Sequence, residues 1–326
     1  MTASSVVHRA TATRGMTPDT ALAIGLDLGG TKLATVLIGP DGRIRHRHHR
    51  EHHARDYPAV LDAITGAVRE CDTLGYAPVV GLAVAGPLDR DRERVLAALN
   101  LGFADRPLRA DLRERLGRPV VLENDANAAA LAEHRVGAGA GARCLVLLTL
   151  GTGIGGGIVV DGQVLRGAAG AAAELGHLPV GTDGAGCGCG ATGCLELYAS
   201  GTALGRLAGA GRTSRDVVAA ADRGDPTARR LLAEAGERLG AAVLMLAPAI
   251  DPDVVMLGGG LAHAAAGHLL PALRDRLTVG WPFRARRAPA RVCLAGCGVD
   301  AGAIGAALCA MDEAAETMPA GVGAGF

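Results

Sequence analysis

Residues 144–165, CLVLLTLGTGIGGGIVVDGQVL, repeat the plan of residues 22–44: apolar strand, glycine- and threonine-rich turn, second strand, Asp-Gly turn, third strand. Asp27-Leu28-Gly29-Gly30-Thr31 answers to Thr149-Leu150-Gly151-Thr152-Gly153, and the Asp-Gly turns follow at 41–42 and 161–162. One unit used twice predicts two similar lobes that face each other across a cleft. Apolar runs bounded by glycine predict further strands at 79–86, 119–124 and 251–262, the last ending in a glycine turn. Helical spacing predicts helices over 58–74, 107–117 and 126–137, along much of 195–248, and in the last part of 291–311. Strands alternating with helices define an α/β chain with a mixed sheet.

The boundaries expected from this pattern are a smaller lobe of 21–124 plus 300–314 and a larger lobe of 125–299. Disordered tails are expected at 1–20 and 315–326, and Met16 is as good a start as Met1. Lysine plus arginine and aspartate plus glutamate both number 33, so no net charge draws the chain to nucleic acid or anionic lipid. Residues 1–20 have no apolar core of a secretory signal, and no apolar run approaches a membrane span. The expected location is the cytoplasm. Among the 49 glycines, only those in strand-turn contexts read as functional; base composition of the genome accounts for the rest.

The stretch ELGHLPVGTDGAGCGCGATGCLE, 174–196, gathers His177, Cys187, Cys189 and Cys194. Three thiolates and an imidazole suit tetrahedral Zn²⁺, and four protein ligands make such a site structural rather than hydrolytic. Free buried thiols are the alternative. Clustered cysteines without an even framework of pairs also fit a reducing compartment. Glu174 and Glu196 bracket the set, so a metal there would fix where their carboxylates point.

Strands that end in Gly-Gly-Thr (29–31) and Gly-Thr-Gly (151–153) present backbone N–H groups that can cradle phosphate oxygens; the competing reading is two plain hairpins. Lys32 adds a positive charge at the first turn, and Asp27 stands where it could hold Mg²⁺. The pattern GxGxxG at 151–156 is no dinucleotide fingerprint, because strand rather than helix follows it. Glu123-Asn124-Asp125 closes a strand before an alanine-rich helix. Asp125 there is either a helix cap or a carboxylate that takes a proton from a hydroxyl nucleophile. Histidines 46, 48, 49, 52 and 53 alternate with arginines in HRHHREHH and read as a solvated edge rather than a metal tract.

Taken together and in order, DLGGTK (27–32), GLAVAGPLD (81–89), Asn100-Leu101, ENDANAAALAE (123–133), LGTGIGGGI (150–158), ELGH with CGCGATGCLE (174–177, 187–196) and VVMLGGGLA (254–262) resemble the ROK family of bacterial sugar kinases and repressors. The resemblance covers about residues 22–312. It implies an actin/hexokinase-like duplicated fold and phosphoryl transfer from Mg-ATP to a hexose, glucose first, with Asp125 as the base on the 6-hydroxyl. It places Gly86, Asn100, Asn124, Glu174, His177 and Glu196 on the sugar, and Gly29, Gly30, Thr31, Lys32, Gly151, Thr152 and Gly153 on the phosphates. Gly258, Gly259 and Gly260 fall under the nucleoside, Asp27 near Mg²⁺, and zinc on the sugar loop. It further implies a homodimer or homotetramer. N-acetylmannosamine, N-acetylglucosamine, fructose and allose remain open as substrates, and polyphosphate as donor. A sugar-responsive repressor is disfavoured, since no helix-turn-helix domain is read before the first strand. Ala173 stands where the family commonly has glycine, which matters if its φ is positive.

Overall fold

The computed structural model describes residues 23–39, 43–54, 56–282, 285 and 287–317; the tail expected at 1–20 and the turn at Pro40-Asp41-Gly42 lie outside the described residues. The strands are β1 (Ala23–Leu28), β2 (Lys32–Ile38), β3 (Ile44–Glu51), β4 (Val79–Val84), β5 (Val95–Ala98), β6 (Phe103–Arg106), β7 (Val120–Asn124), β8 (Cys144–Leu150), β9 (Ile154–Val160), β10 (Gln163–Val164), β11 (Val254–Gly258) and β12 (Arg291–Leu294). The helices are α1 (Tyr57–Asp72), α2 (Leu108–Leu116), α3 (Asp125–Arg135), α4 (Glu196–Ala199), α5 (Gly201–Leu207), α6 (Ser214–Asp222), α7 (Pro226–Ile250), α8 (Gly259–Ala264), α9 (Ala266–Gly280) and α10 (Ala301–Thr317).

The repeat becomes two five-stranded sheets of one topology, ordered β3-β2-β1-β4-β7 and β10-β9-β8-β11-β12. In each, the repeated unit is an antiparallel meander, and two further strands add parallel to its first strand. The carboxyl ends of the parallel strands, where ligands collect in open α/β sheets, carry Asn124 and Gly258.

α3 and α10 pack on each other; α10 also covers β1 and β4, and α3 covers β8 and β9. Small residues make this approach possible. A Cβ on Gly25 or Gly81 would lie 1.9 Å from the carbonyl oxygens of Ala303 and Ala306, and one on Gly305 would lie 1.7 Å from that of Ala128. These glycines sit inside a strand or helix, so the glycines with a physical role extend beyond the turns. α10 runs to Thr317, so the tail expected from 315 begins no earlier than 318; 318–326 lie outside the described residues.

The expected helical region over 195–248 divides into α4 to α7. Ser200, Thr213 and Asp225 cap α5, α6 and α7, each accepting a backbone N–H in the first turn. No helix among the described residues is long and apolar enough to cross a membrane.

Candidate active site

A cavity of about 510 Å³ is lined from both sheets by Gly86, Asn100, Asn124, Asp125, Gly151, Thr152, Gly153, Glu174 and Glu196, among others. A second, of about 440 Å³, is lined by Asp27, Asp125, Thr149, Gly258, Gly259, Gly260 and Gly302, among others. Among the described residues, Asp125 is the only carboxylate common to the two.

Its placement follows from the local chain. Asn124 is the N-cap of α3: its Oδ1 accepts the N–H of Ala126 at 3.0 Å and of Asn127 at 3.1 Å, and its Nδ2 donates to Gly86 O at 3.3 Å. The cap is therefore Asn124, one residue before the position where the sequence offered it. Asp125 opens the helix, its Oδ1 accepting Ala126 N–H at 2.9 Å. Burial, with Glu174 nearby, pushes the Asp125 carboxyl up to about 6; burial, with Asp125 nearby, pushes Asp27 up to about 7. Two crowded acids of this kind are a setting that a divalent cation relieves.

Glu196 Oε2 accepts the N–H of Ile154 at 2.7 Å, and a Cβ on Gly153 would lie 2.4 Å from that oxygen. Gly153 thus makes room for the acid, and Glu196 joins the second glycine turn to the cavity. Glu174 has φ −70° and ψ 60°, and Leu175 N–H bonds to Ala173 O at 2.7 Å, an inverse γ-turn that holds Glu174 at its centre. Ala173 has φ 66°, the left-handed region, so the alanine carries the strain a glycine there would avoid.

The four sequence-predicted metal ligands converge, their ligand atoms all within 4.8 Å of one another. Cys189 Sγ and Cys194 Sγ stand 3.7 Å apart, and Cys187 Sγ stands 3.7 Å from His177 Nδ1. Bond lengths of about 2.3 Å to sulfur and about 2.0 Å to nitrogen give tetrahedral edges of about 3.8 and about 3.6 Å, so the spacing fits zinc. Backbone bonds fold the loop on itself: Leu195 N–H to Leu178 O at 2.9 Å, Gly181 N–H to Gly193 O at 2.8 Å and Cys187 N–H to Ala191 O at 2.8 Å. Arg238 fastens it to α7, donating to Val180 O at 2.7 Å and lying over the Tyr198 ring. His177 lies one helical turn from Glu174, outside the cavity lining, its Nδ1 turned to Cys187.

Gly29, Gly30, Thr31 and Lys32 line neither cavity. The first turn borders the first cavity through Gly30, where a Cβ would lie 3.1 Å from Asn100 Cβ. Lys32 is exposed. The second turn meets the glycine triplet: a Cβ on Gly259, whose φ is 85°, would lie 2.3 Å from Leu150 O.

The histidine-rich strand departs from a simple solvated edge. His48 and His53 are exposed, but His52 is buried, with Nε2 2.8 Å from Gly29 O, and its backbone N–H bonds to Thr31 O at 2.9 Å. His49 Nε2 lies 2.6 Å from Asp300 Oδ1, and Arg47 3.1 Å from Asp300 Oδ2, just before α10. His52 and the buried acid Glu123 are site-bordering residues that sequence reasoning missed. For His52 the signal was its position where β3 returns past the first turn.

The family model described as "ROK family" matches residues 23–313. The chain belongs to the ROK family. It is 37% identical over 309 residues to a glucokinase of Streptomyces coelicolor, covering 88% of this chain and 96% of that protein. An N-acetylmannosamine kinase of Escherichia coli is 36% identical over 251 residues, covering 74% of this chain and 84% of that protein. The crystal structure of a ROK family glucokinase from Streptomyces griseus in complex with glucose and AMPPNP superposes with a TM-score of 0.77 at 36% identity, covering 89% of this chain and 99% of that one. The actin/hexokinase-like fold expected of a ROK protein agrees with the paired sheets described above.

Proposed function

We propose that the protein is an ATP-dependent glucokinase that phosphorylates the sugar 6-hydroxyl. The observation that carries this reading is the position of Asp125, the one carboxylate among the described residues shared by a cavity lined by Asn100, Asn124, Glu174 and Glu196 and a second cavity edged by the glycine triplet. A base at that junction can take the proton of a hydroxyl in the first cavity as the oxygen attacks a phosphoryl group entering from the second.

The family resemblance, together with the lining of the two cavities, supports the following roles. Asn124, Glu174 and Glu196 are polar groups against which a polyol can be oriented, with Gly86 and Asn100 on the same wall. Glu196 offers Oε1, since Oε2 is held by Ile154 N–H. The Gly151–Gly153 turn, on the first cavity beside Asp125, presents backbone N–H groups toward phosphate oxygens, and Gly258, Gly259 and Gly260 admit the nucleoside to the second; the Gly29–Thr31 turn and the exposed Lys32 line neither cavity and hold a phosphate role only by the family resemblance. Asp27 would hold Mg²⁺, which supplies charge neutralisation to the phosphates when bound. The protein's own contribution is to hold sugar hydroxyl, base and phosphate path in one line.

His177, Cys187, Cys189 and Cys194 would hold a structural zinc, which ties the loop after Glu174 into one shape. The expected location is the cytoplasm and the expected assembly a homodimer or homotetramer. The choice of glucose rests on similarity to glucokinases, and N-acetylmannosamine is the alternative favoured by the second relative.

The deciding experiment measures turnover on glucose, N-acetylmannosamine, N-acetylglucosamine, fructose and allose with ATP and with polyphosphate. Highest kcat/KM for glucose with ATP is expected. Asp125→Asn should keep the fold and sugar binding and lose at least about a hundredfold in kcat. Near-normal turnover in that variant removes Asp125 from the mechanism.

A further inference from the structure

Glu123 is 2% exposed and stands two residues before Asp125 on β7. Both of its oxygens are fully engaged. Arg166 donates to its Oε2 through Nε at 2.8 Å, with Nη2 at 2.7 Å. Oε1 accepts Asn124 N–H at 3.1 Å and Asn127 Nδ2 at 3.4 Å. Arg92, from the loop before β5, comes within 3.6 Å of Oε2 and donates to Leu122 O at 3.2 Å. The Cys309 thiol of α10 faces the same oxygen at 3.9 Å.

Arg166 heads the segment 166–174, which closes on it, Ala172 N–H bonding to Arg166 O at 3.0 Å. Further along, Gly170 passes Leu88 and Asp89 of the chain segment after β4; a Cβ there would lie 3.4 Å from the carbonyl oxygen of each. The segment ends in the strained Ala173 and in Glu174. Glu123 therefore reaches the site by two routes: along the backbone to Asp125, and through Arg166 to the segment that carries Glu174. A buried ion pair is weak evidence of stability, because apolar residues often serve as well; it is better suited to fixing one arrangement.

We propose that Arg166 is a positioning residue of the kinase site. By clamping the start of segment 166–174 to Glu123, it sets the separation of sugar-holding Glu174 from Asp125. The segment is then held at both ends, by Arg166 at its start and by the Cys/His loop just after Glu174. The planar guanidinium places two donors on one carboxylate oxygen, a geometry lysine does not reproduce.

This inference rests on the kinase reading, and the test separates the two. Steady-state kinetics on the full chain, with glucose varied at saturating Mg-ATP and the converse, are compared for wild type, Arg166→Lys and Arg166→Gln. Arg166→Gln is expected to raise the KM for glucose about tenfold and lower kcat by a similar factor, with the KM for ATP changed less than about twofold; Arg166→Lys should fall between. Hydrogen exchange over 166–175, which needs no substrate, should quicken in Arg166→Gln while that of β8 and β11 stays unchanged. A folded Arg166→Gln with wild-type KM for glucose, or one in which both KM values rise together, overturns the proposal. If wild type turns over no hexose, the kinase reading fails, and unchanged exchange over 166–175 then also sinks the clamp.

Discussion

His52 holds its Nε2 2.8 Å from the carbonyl oxygen of Gly29. A carbonyl only accepts, so the ring keeps its proton on Nε2, and Nδ1 is buried without a partner among the described residues. With its backbone N–H on Thr31 O, His52 grips the first glycine turn at two points. His52→Ala leaves the Gly29 carbonyl short of a donor, a loss of about 1–3 kcal/mol. The expected result is a lower melting temperature and a severalfold rise in KM, for ATP by the phosphate role the family resemblance gives the turn and for glucose through Gly30, which meets Asn100. His53→Ala, at an exposed neighbour, should change neither. Equal behaviour of the two variants would remove His52 from the turn's support.

The acid pair gives a pH dependence of definite sign. The folded-state values of Asp125, about 6, and Asp27, about 7, lie above the ordinary 3.8. Asp125 acts as a base only when ionised, and this value belongs to the empty protein, so kcat/KM should fall as pH drops through about 6. Stability runs the other way. A raised carboxyl contributes stability fully below the unfolded value and loses it as pH rises through the folded value. Charging Asp125 in the empty protein thus costs no more than about 3 kcal/mol above pH 6. Asp125→Asn should therefore melt higher than wild type at pH 8 and match it near pH 4. A variant less stable than wild type at pH 8 would contradict the burial argument.

What the sequence disclosed tracks how locally each feature is encoded. The paired sheets were legible because the strand-turn-strand unit recurs with its turn residues intact. The cysteine set was legible because its spacing alone suits one metal. β5 and β6 passed unread, being four residues each and joined across Leu99–Leu101 with no periodic run. His52 and Glu123 were misread or unread because their partners are remote: Gly29 is 23 residues from His52, and Arg166 is 43 from Glu123. The glycines inside strands looked compositional until α10 was seen pressed on Gly25 and Gly81.

Zinc, where bound, should act mainly on the sugar side. Cys189→Ser or a strong chelator opens the loop that follows Glu174, while the glycine turns at 29–31 and 258–260 lie in other segments. The expected outcome is loss of about one zinc per chain by elemental analysis, a lower melting temperature and a KM for glucose up at least about tenfold, with nucleotide affinity largely kept. A selective loss of nucleotide affinity would place the loop on the wrong side of the cleft.

Ala173 offers a gain rather than a loss. At φ 66° an alanine carries strain of about 1–3 kcal/mol, and glycine adopts the same backbone freely. Ala173→Gly also loosens the unfolded chain, which offsets about 0.4–1 kcal/mol of the relief. The remainder, roughly 1 kcal/mol, should appear as a higher melting temperature. The methyl group is partly buried against the core that includes Ile154 and Leu175, and its loss reduces the gain. Glu174 keeps its γ-turn in the variant, so the KM for glucose should stay within about twofold of wild type. Stabilisation with a much higher KM would mean that the strained alanine itself aims Glu174, and that the strain is part of the site.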